Sequence, residues 1–269
     1  MVKSFEGVTN RALIWLLAII GLLVIYAPPF YLVAISLNPS LQPGLPSLSD
    51  LSLTWYFALS KEHGLLMALG ESVIVAMITA ILATVLSLLA ALGYLELRKT
   101  RSIWFMTVIL PMFIPGVIQG LALSVIFTRT GIKPSLLTVI AGHLLWATPF
   151  AFIVVLTSLS VVRGSYLMAA ADLGASWWRQ FVDITLPLIK PGLVSAFIFA
   201  FLLSLNEFNR AFYLVGRQNT LPIALFGKMN SGANPTIYAL SGAIFLVSIV
   251  CVGLIVFNAT GPRAARAKA

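Results

Sequence analysis

The stretch 67–95, MALGESVIVAMITAILATVLSLLAALGYL, carries a single charged side chain, Glu71, in an otherwise apolar run. A hydrocarbon core about 30 Å thick takes about 20 apolar residues of helix to cross. The run exceeds that length, and it is continuous rather than alternating, which favours a helix over a barrel strand. Five further segments read the same way, at about 13–37, 103–128, 136–160, 192–215 and 236–258. The composition agrees, with 60% hydrophobic and 9% charged residues and a mean hydropathy of +1.02. A soluble domain carries about 25% charged residues, so this chain lacks the polar surface to coat a water-facing globule. The expectation is an all-α membrane protein, with six transmembrane helices in a single domain over 1–269.

The run 13–37 is too long for the short apolar region of a signal peptide and reads as a retained span. Placing the N-terminus in the cytoplasm puts Lys3, Arg11, Arg98, Lys99, Arg101, Arg163, Arg179, Lys190, Arg263, Arg266 and Lys268 on the inside. Only Lys61, Arg129, Lys133, Arg217 and Lys228 then lie outside, while Arg210 falls within the fifth segment. Cationic residues concentrate on the cytoplasmic side of membrane proteins, so both termini are expected there. The net charge of +9 is scattered between apolar runs. It forms no basic patch with interleaved aromatics, which argues against nucleic acid and for membrane lipid as the surroundings. The single cysteine, Cys251, excludes an internal disulfide and reads as a packed thiol.

Between the spans, 38–66 combines Pro39, Pro43, Gly44 and Pro46 with the interfacial run Trp55-Tyr56-Phe57. The segment 216–235 has the Gly, Asn and Pro content of a loop. The inner segment is different. It reads VVRGSYLMAAADLGASWWRQFVDITLPLIKPGL over 161–193. Ser165 is placed to cap a helix reaching residue 173, and three alanines in succession favour that helix while adding almost no bulk. Gly174 permits a sharp bend. A second short helix then follows, with Trp177, Trp178 and Phe181 as anchors, until Leu186-Pro187 and Pro191-Gly192 break it. From physics alone, this is equally a short amphipathic helix resting on the membrane.

The string AAxDLGA, with Leu-Pro twelve residues beyond its glycine, resembles the cytoplasmic signature of permease subunits in binding-protein-dependent ATP-binding-cassette importers. The matching residues are Ala169, Ala170, Asp172, Leu173, Gly174, Leu186 and Pro187. ITLPLIKPGL, FAFLLSLNEF over 199–208 and TLPIALFGKM over 220–229 extend the likeness toward the spermidine/putrescine-type branch. The resemblance implies a coupling helix between the fourth and fifth spans, in the loop 161–191. Leu167, Met168, Ala169, Ala170, Asp172, Leu173 and Gly174 would then dock an ATP-hydrolysing subunit. It further implies a dimer of those subunits holding ATP and Mg, with no cofactor on this chain. A second permease subunit, an extracytoplasmic substrate-binding protein and a place in the bacterial inner membrane complete the picture. One position departs from the pattern, because family members commonly carry Glu where this chain has Met168. Met168 offers an apolar contact instead, or Asp172 supplies the charge, or the second permease keeps the acid.

The fifth segment contains Ser204, Asn206, Glu207, Asn209 and Arg210. Ionisable groups in a span cost roughly 2.5–3.5 kcal/mol each on insertion scales and usually face a cavity or partner. Ser204, Glu207 and Arg210 share a helical face at steps of three. They read either as an internal Glu207–Arg210 pair or as a substrate pathway in which Glu207 attracts a cationic amine. Glu71 is a second pathway candidate, or a charge at a helix N-terminus. His143 reads as a hydrogen-bonded packing residue. Pro111, Pro115 and Pro149 are expected to kink their spans, with Pro115-Gly116 and Gly120 marking a flexible point. A self-sufficient secondary transporter or channel fits the spans and the intramembrane Glu, but has no use for the Ala-rich inner loop. A membrane enzyme is disfavoured, because the sequence holds no nucleophile–base pair, metal cluster or phosphate loop.

Overall fold

The computed structural model describes residues 8–97, 99–232 and 235–260. Of the basic residues used for orientation, Lys3, Arg98, Arg263, Arg266 and Lys268 lie outside the described residues, as does the side chain of Cys251. The helices are α1 (Val8–Ser36), α2 (Thr54–Leu59), α3 (His63–Glu96), α4 (Arg101–Ile109), α5 (Gly116–Arg129), α6 (Leu136–Leu159), α7 (Gly164–Asp172), α8 (Trp177–Arg179), α9 (Leu186–Leu205), α10 (Ala211–Leu214), α11 (Leu221–Asn230) and α12 (Pro235–Thr260). Among the described residues every regular element is helical. They form two compact units, one comprising 1–63 with 227–269 and the other 64–226.

In the first unit α1 packs along α12, with Phe30 edge-on to Phe245 at 5.4 Å. The Trp55-Tyr56-Phe57 run forms α2. Trp55 Nε1 donates to the Asn38 carbonyl at 2.8 Å, and the Tyr56 hydroxyl meets the buried Ser36 hydroxyl at 2.7 Å. The apolar side chains of α1 point outward, with Trp15, Val24 and Ile25 among many exposed. Water does not tolerate such a surface, whereas lipid does.

The second unit is built on α6 and α9. Hydrocarbon gives helices no hydrophobic reason to associate, so close packing of small side chains holds them together. Ala80, Ala83 and Ala91 of α3, Ala147 and Ala151 of α6, and Ala196 and Ala200 of α9 are all fully buried in one cluster. At the α6–α9 crossing a Cβ on Gly192 would overlap the Ser158 side chain. Phe152 fills the remaining volume against Tyr94 and Phe105.

Among the described residues, four helical stretches are long and apolar enough to cross a membrane: Leu13–Ser36, His63–Glu96, Leu136–Leu159 and Trp177–Leu205. The third expected span is not one helix. Arg101–Phe113 and Gly116–Arg129 meet at 97°, giving a fifth span if the bent pair is counted as one. The cause is local. Pro111 tightens the chain into a 3₁₀ turn over Leu110–Phe113, and Ile114, preceding Pro115, is forced extended at φ −89° and ψ 128°. The expected kink is thus a full break. The sixth segment, 236–258, falls on the single apolar helix α12, Pro235–Thr260.

Two more boundaries differ from expectation. The segment 216–235 is not all loop, because α11 occupies its middle. Pro222 suits a first helical turn, and the Ser72 hydroxyl accepts from Leu221 N at 2.7 Å, satisfying a free N–H at the helix start. The fifth span begins earlier and ends sooner than 192–215. Leu186-Pro187 and Pro191-Gly192 do not break it. A π-helical turn over Gln180–Thr185 widens the helix just before Pro187, and Pro191 is carried inside α9.

Candidate functional site: an exposed helical hook and a buried arginine cluster

The inner loop folds as a hook. All of α7 is exposed or half-buried, with Met168 64% and Leu173 89% accessible. The expected cap differs: Arg163 stands at the N-cap without a side-chain bond, and Ser165 lies in the first turn. The C-terminal end is tightly specified. Ala175 N donates to the Ala170 carbonyl at 2.9 Å and Gly174 N to the Ala171 carbonyl at 2.8 Å. These paired bonds close a helix through a residue in left-handed conformation, and Gly174 has φ +82°. A Cβ there meets nothing within 4 Å, so the backbone angle alone demands glycine. After the bend the Ser176 hydroxyl accepts from Arg179 N at 3.4 Å and starts α8. Trp177 stacks on Phe181 at 5.8 Å. The residues read from the sequence as the docking set therefore lie together on one projecting element. Ala169, Asp172 and Gly174 are exposed, while Leu167 and Ala170 are half-buried against the body of the unit.

The polar residues of the fifth segment are arranged differently from expectation. They do not share a helical face, because α9 ends at Leu205. The Asn206 side chain takes the Leu202 carbonyl at 2.9 Å, and Glu207 N turns back to the Ser204 carbonyl at 3.2 Å. The Glu207 carboxylate then accepts from Arg210 N at 2.8 Å, which starts α10. Asn206 and Asn209 are exposed, whereas Ser204, Glu207 and Arg210 are buried. Arg210 pairs with Glu207 at 3.1 Å, donates from Nε to Gln119 Oε1 at 2.6 Å, and lies over the Trp146 ring at 4.6 Å. The internal ion pair is thus formed, and it cancels the charge that Glu207 would offer to a cation.

Sequence reading missed Gln119 and Trp146, whose residue types gave no signal in apolar runs. It noticed Gly116 and Gly120 but read them as a flexible point. Their role is space. A Cβ on Gly116 would lie 2.8 Å from Arg210 Nη1, and one on Gly120 3.0 Å from Arg210 Cα. The first turn of α5 is the wall of the arginine pocket. Gln119 also donates to the Pro111 carbonyl at 2.6 Å, so the network reaches across the break between the two helices. His143 Nδ1 bonds the Ser204 hydroxyl at 2.7 Å, as expected of a packing histidine, while its Nε2 has no partner among the described residues. Glu71 is half-buried, eight residues into α3 and so past its first turn. The helix-end explanation for its charge therefore does not apply, and among the described residues it forms no ion pair.

A helical membrane unit with an exposed Ala-rich hook and no catalytic or metal constellation among the described residues has the features of a transport permease. The family model described as the binding-protein-dependent transport system inner membrane component matches residues 83–266, and the chain belongs to that family. The putrescine transport system permease protein PotI of Escherichia coli (strain K12) is 30% identical over 247 residues, covering 88% of this chain and 86% of the relative. The spermidine/putrescine transport system permease protein PotC of the same strain is 26% identical, covering 85% and 86%. A bacterial ABC transporter involved in importing the acidic polysaccharide alginate shares the fold, with a TM-score of 0.71 at 17% identity over 91% of this chain and 93% of that one. A second structure, with an alginate pentasaccharide-bound periplasmic protein, also gives 0.71, at 16% identity over 93% of each chain. The chain is thus a membrane-embedded transport subunit.

Proposed function

We propose that this chain forms part of the translocation pathway of an ATP-driven importer of small cationic amines, with both termini in the cytoplasm of a bacterial inner membrane. ATP and Mg belong to a dimer of separate ATP-binding subunits, which α7 and Gly174 engage. A second permease subunit completes the pathway, and a binding protein delivers solute from outside. The observation that carries this reading is the hook. It stands exposed on a permease fold, its end is fixed by Gly174, and it presents Met168, Ala169 and Leu173 beside Asp172. Leu173 and Met168 supply apolar contact in place of the usual acid.

The names of PotI and PotC support an amine as solute, and an intramembrane carboxylate is the chemistry that attracts one. Glu207 is already neutralised by Arg210. Glu71 carries a charge in an apolar helix without an ion pair among the described residues, so it is the better cation-attracting group. Asn206 and Asn209 are exposed amides able to bond an ammonium, while Ser204, Glu207 and Arg210 shape the pathway from behind. The test is uptake of radiolabelled putrescine into proteoliposomes holding the full transporter, with ATP inside and binding protein outside. Saturable uptake that requires both supports the proposal. Uptake that proceeds without ATP would favour a secondary carrier, and uptake of an anion but not the diamine would overturn the solute class.

A further inference from the structure

We propose that a cavity at the base of the hook is a binding site for an organic ammonium group. The cavity has a volume of about 340 Å³, lies wholly within the second unit and is bordered by Leu92, Glu96, Ser160, Trp177, Gln180 and Phe181. Small-ligand sites start at about 300 Å³, so a short diamine or a single headgroup fits and an oligosaccharide does not.

Its lining carries one formal charge, on the exposed residue Glu96. The chain carries a net charge of +9, yet no residue lining this cavity is basic. Glu96 is the last residue of α3, where the helix already presents its negative end, and the end of α6 at Leu159 borders the same space. Neither helix has a basic residue in its last turn, the usual complement to that end. Arg101 complements the α3 end from outside the cavity, bonding the Tyr94 and Leu95 carbonyls, so of the two ends that of α6 is the one turned to a ligand. Among the described residues Glu96 has no ion pair. The lining also includes the Trp177 and Phe181 rings, stacked within 6° of parallel. Aromatic faces attract cations. Gln180 donates to the Ala175 carbonyl through Nε2, which leaves its oxygen as an acceptor for an N–H. A carboxylate, the C-terminal end of α6, an amide oxygen and aromatic faces together select a cation with a short apolar body. The site stands whether or not the transported solute is an amine. When filled, it ties the ends of α3 and α6 to the aromatic pair that follows the hook.

The experiment is calorimetric titration of the purified full chain with putrescine, and with the butanediol of the same chain length, in nanodiscs of phosphatidylglycerol, a lipid without an ammonium group. Tryptophan fluorescence is followed in parallel. The expected result is saturable diamine binding with no diol binding. Glu96→Gln weakens it at least tenfold, Glu96→Asp weakens it less, and Asp50→Asn, at an exposed residue of the segment 38–66, leaves it unchanged. Trp177→Phe keeps the binding heat but removes the optical signal. In phosphatidylethanolamine nanodiscs, weaker apparent diamine binding identifies the lipid headgroup as a competing source of the same ammonium. Equal binding of the diol, indifference to Glu96→Gln, or loss of binding in Asp50→Asn would each overturn the proposal.

Discussion

Replacing Gly174 isolates what the hook contributes, because its Cβ position is empty and only its backbone angle is demanding. At φ +82°, with nothing within 4 Å of an added Cβ, a substitution costs conformational strain rather than a clash. Left-handed backbone costs an ordinary L-residue about 1–2 kcal/mol, more for a β-branched one, and little for Asn. Since about 1.4 kcal/mol is tenfold in an equilibrium, the hook conformation, and docking that depends on it, should weaken in order. Gly174→Asn is expected within about threefold of the parent, Gly174→Ala about five- to thirtyfold weaker, and Gly174→Val weaker than Gly174→Ala, by more than about thirtyfold from the parent. The assay is the affinity of each purified variant for the ATP-binding subunit, measured with the thermal unfolding midpoint of the variant alone. The midpoints should scarcely differ, because the hook is exposed and no core residue depends on it. Equal affinity across the series, or Asn as damaging as Val, would refute the claim that the left-handed bend presents the docking surface.

Four further outcomes follow from the geometry. Arg210→Ala leaves Glu207 buried without its partner and should cost about 3–5 kcal/mol, read as a lowered unfolding midpoint and poor yield in detergent. Gly120→Ala should damage the fold more than Gly116→Ala, because the added methyl meets backbone at Arg210 Cα in one case and a side-chain end in the other; comparative thermal stability decides the order. Gly192→Leu should separate α6 from α9 and lower stability by several kcal/mol, as overpacking of a tight crossing does, measurable by the same assay. Glu71→Gln should raise the KM for diamine uptake several-fold while leaving the unfolding midpoint unchanged, and unaltered kinetics would remove Glu71 from the pathway.

Much of this was legible in the chain because its signals are local. Length and hydropathy suffice for 67–95, where nothing interrupts the run, and AAADLGA encodes both the α7 helix and its glycine stop. What escaped was set by contacts distant in sequence. Arg210 sits in an apolar neighbourhood because Gln119, 91 positions away, and Trp146 receive it. Hydropathy alone extended the fifth span to residue 215, since a short polar run between apolar stretches looks like a decorated helix. The early end comes from Asn206 and Glu207 bonding their own backbone, a competition that Asn and acidic side chains commonly win. Pro111 and Pro115 announced a kink, but not its 97° size, which comes from the 3₁₀ turn and the extended Ile114 between them. Conversely, Pro187 and Pro191 looked like breaks and were absorbed by a π-turn, which has no clear sequence signature.

The most direct test of the account is a site-specific cross-link from the hook. Leu173 is 89% exposed, and a photoreactive residue placed there in the intact transporter should capture whatever seats on α7. The account predicts a single adduct, with a chain that carries a phosphate-binding loop, formed in Leu173 variants with Gly174 intact and lost when Gly174→Val is added. Capture of lipid alone, or an adduct unaffected by Gly174→Val, would contradict it.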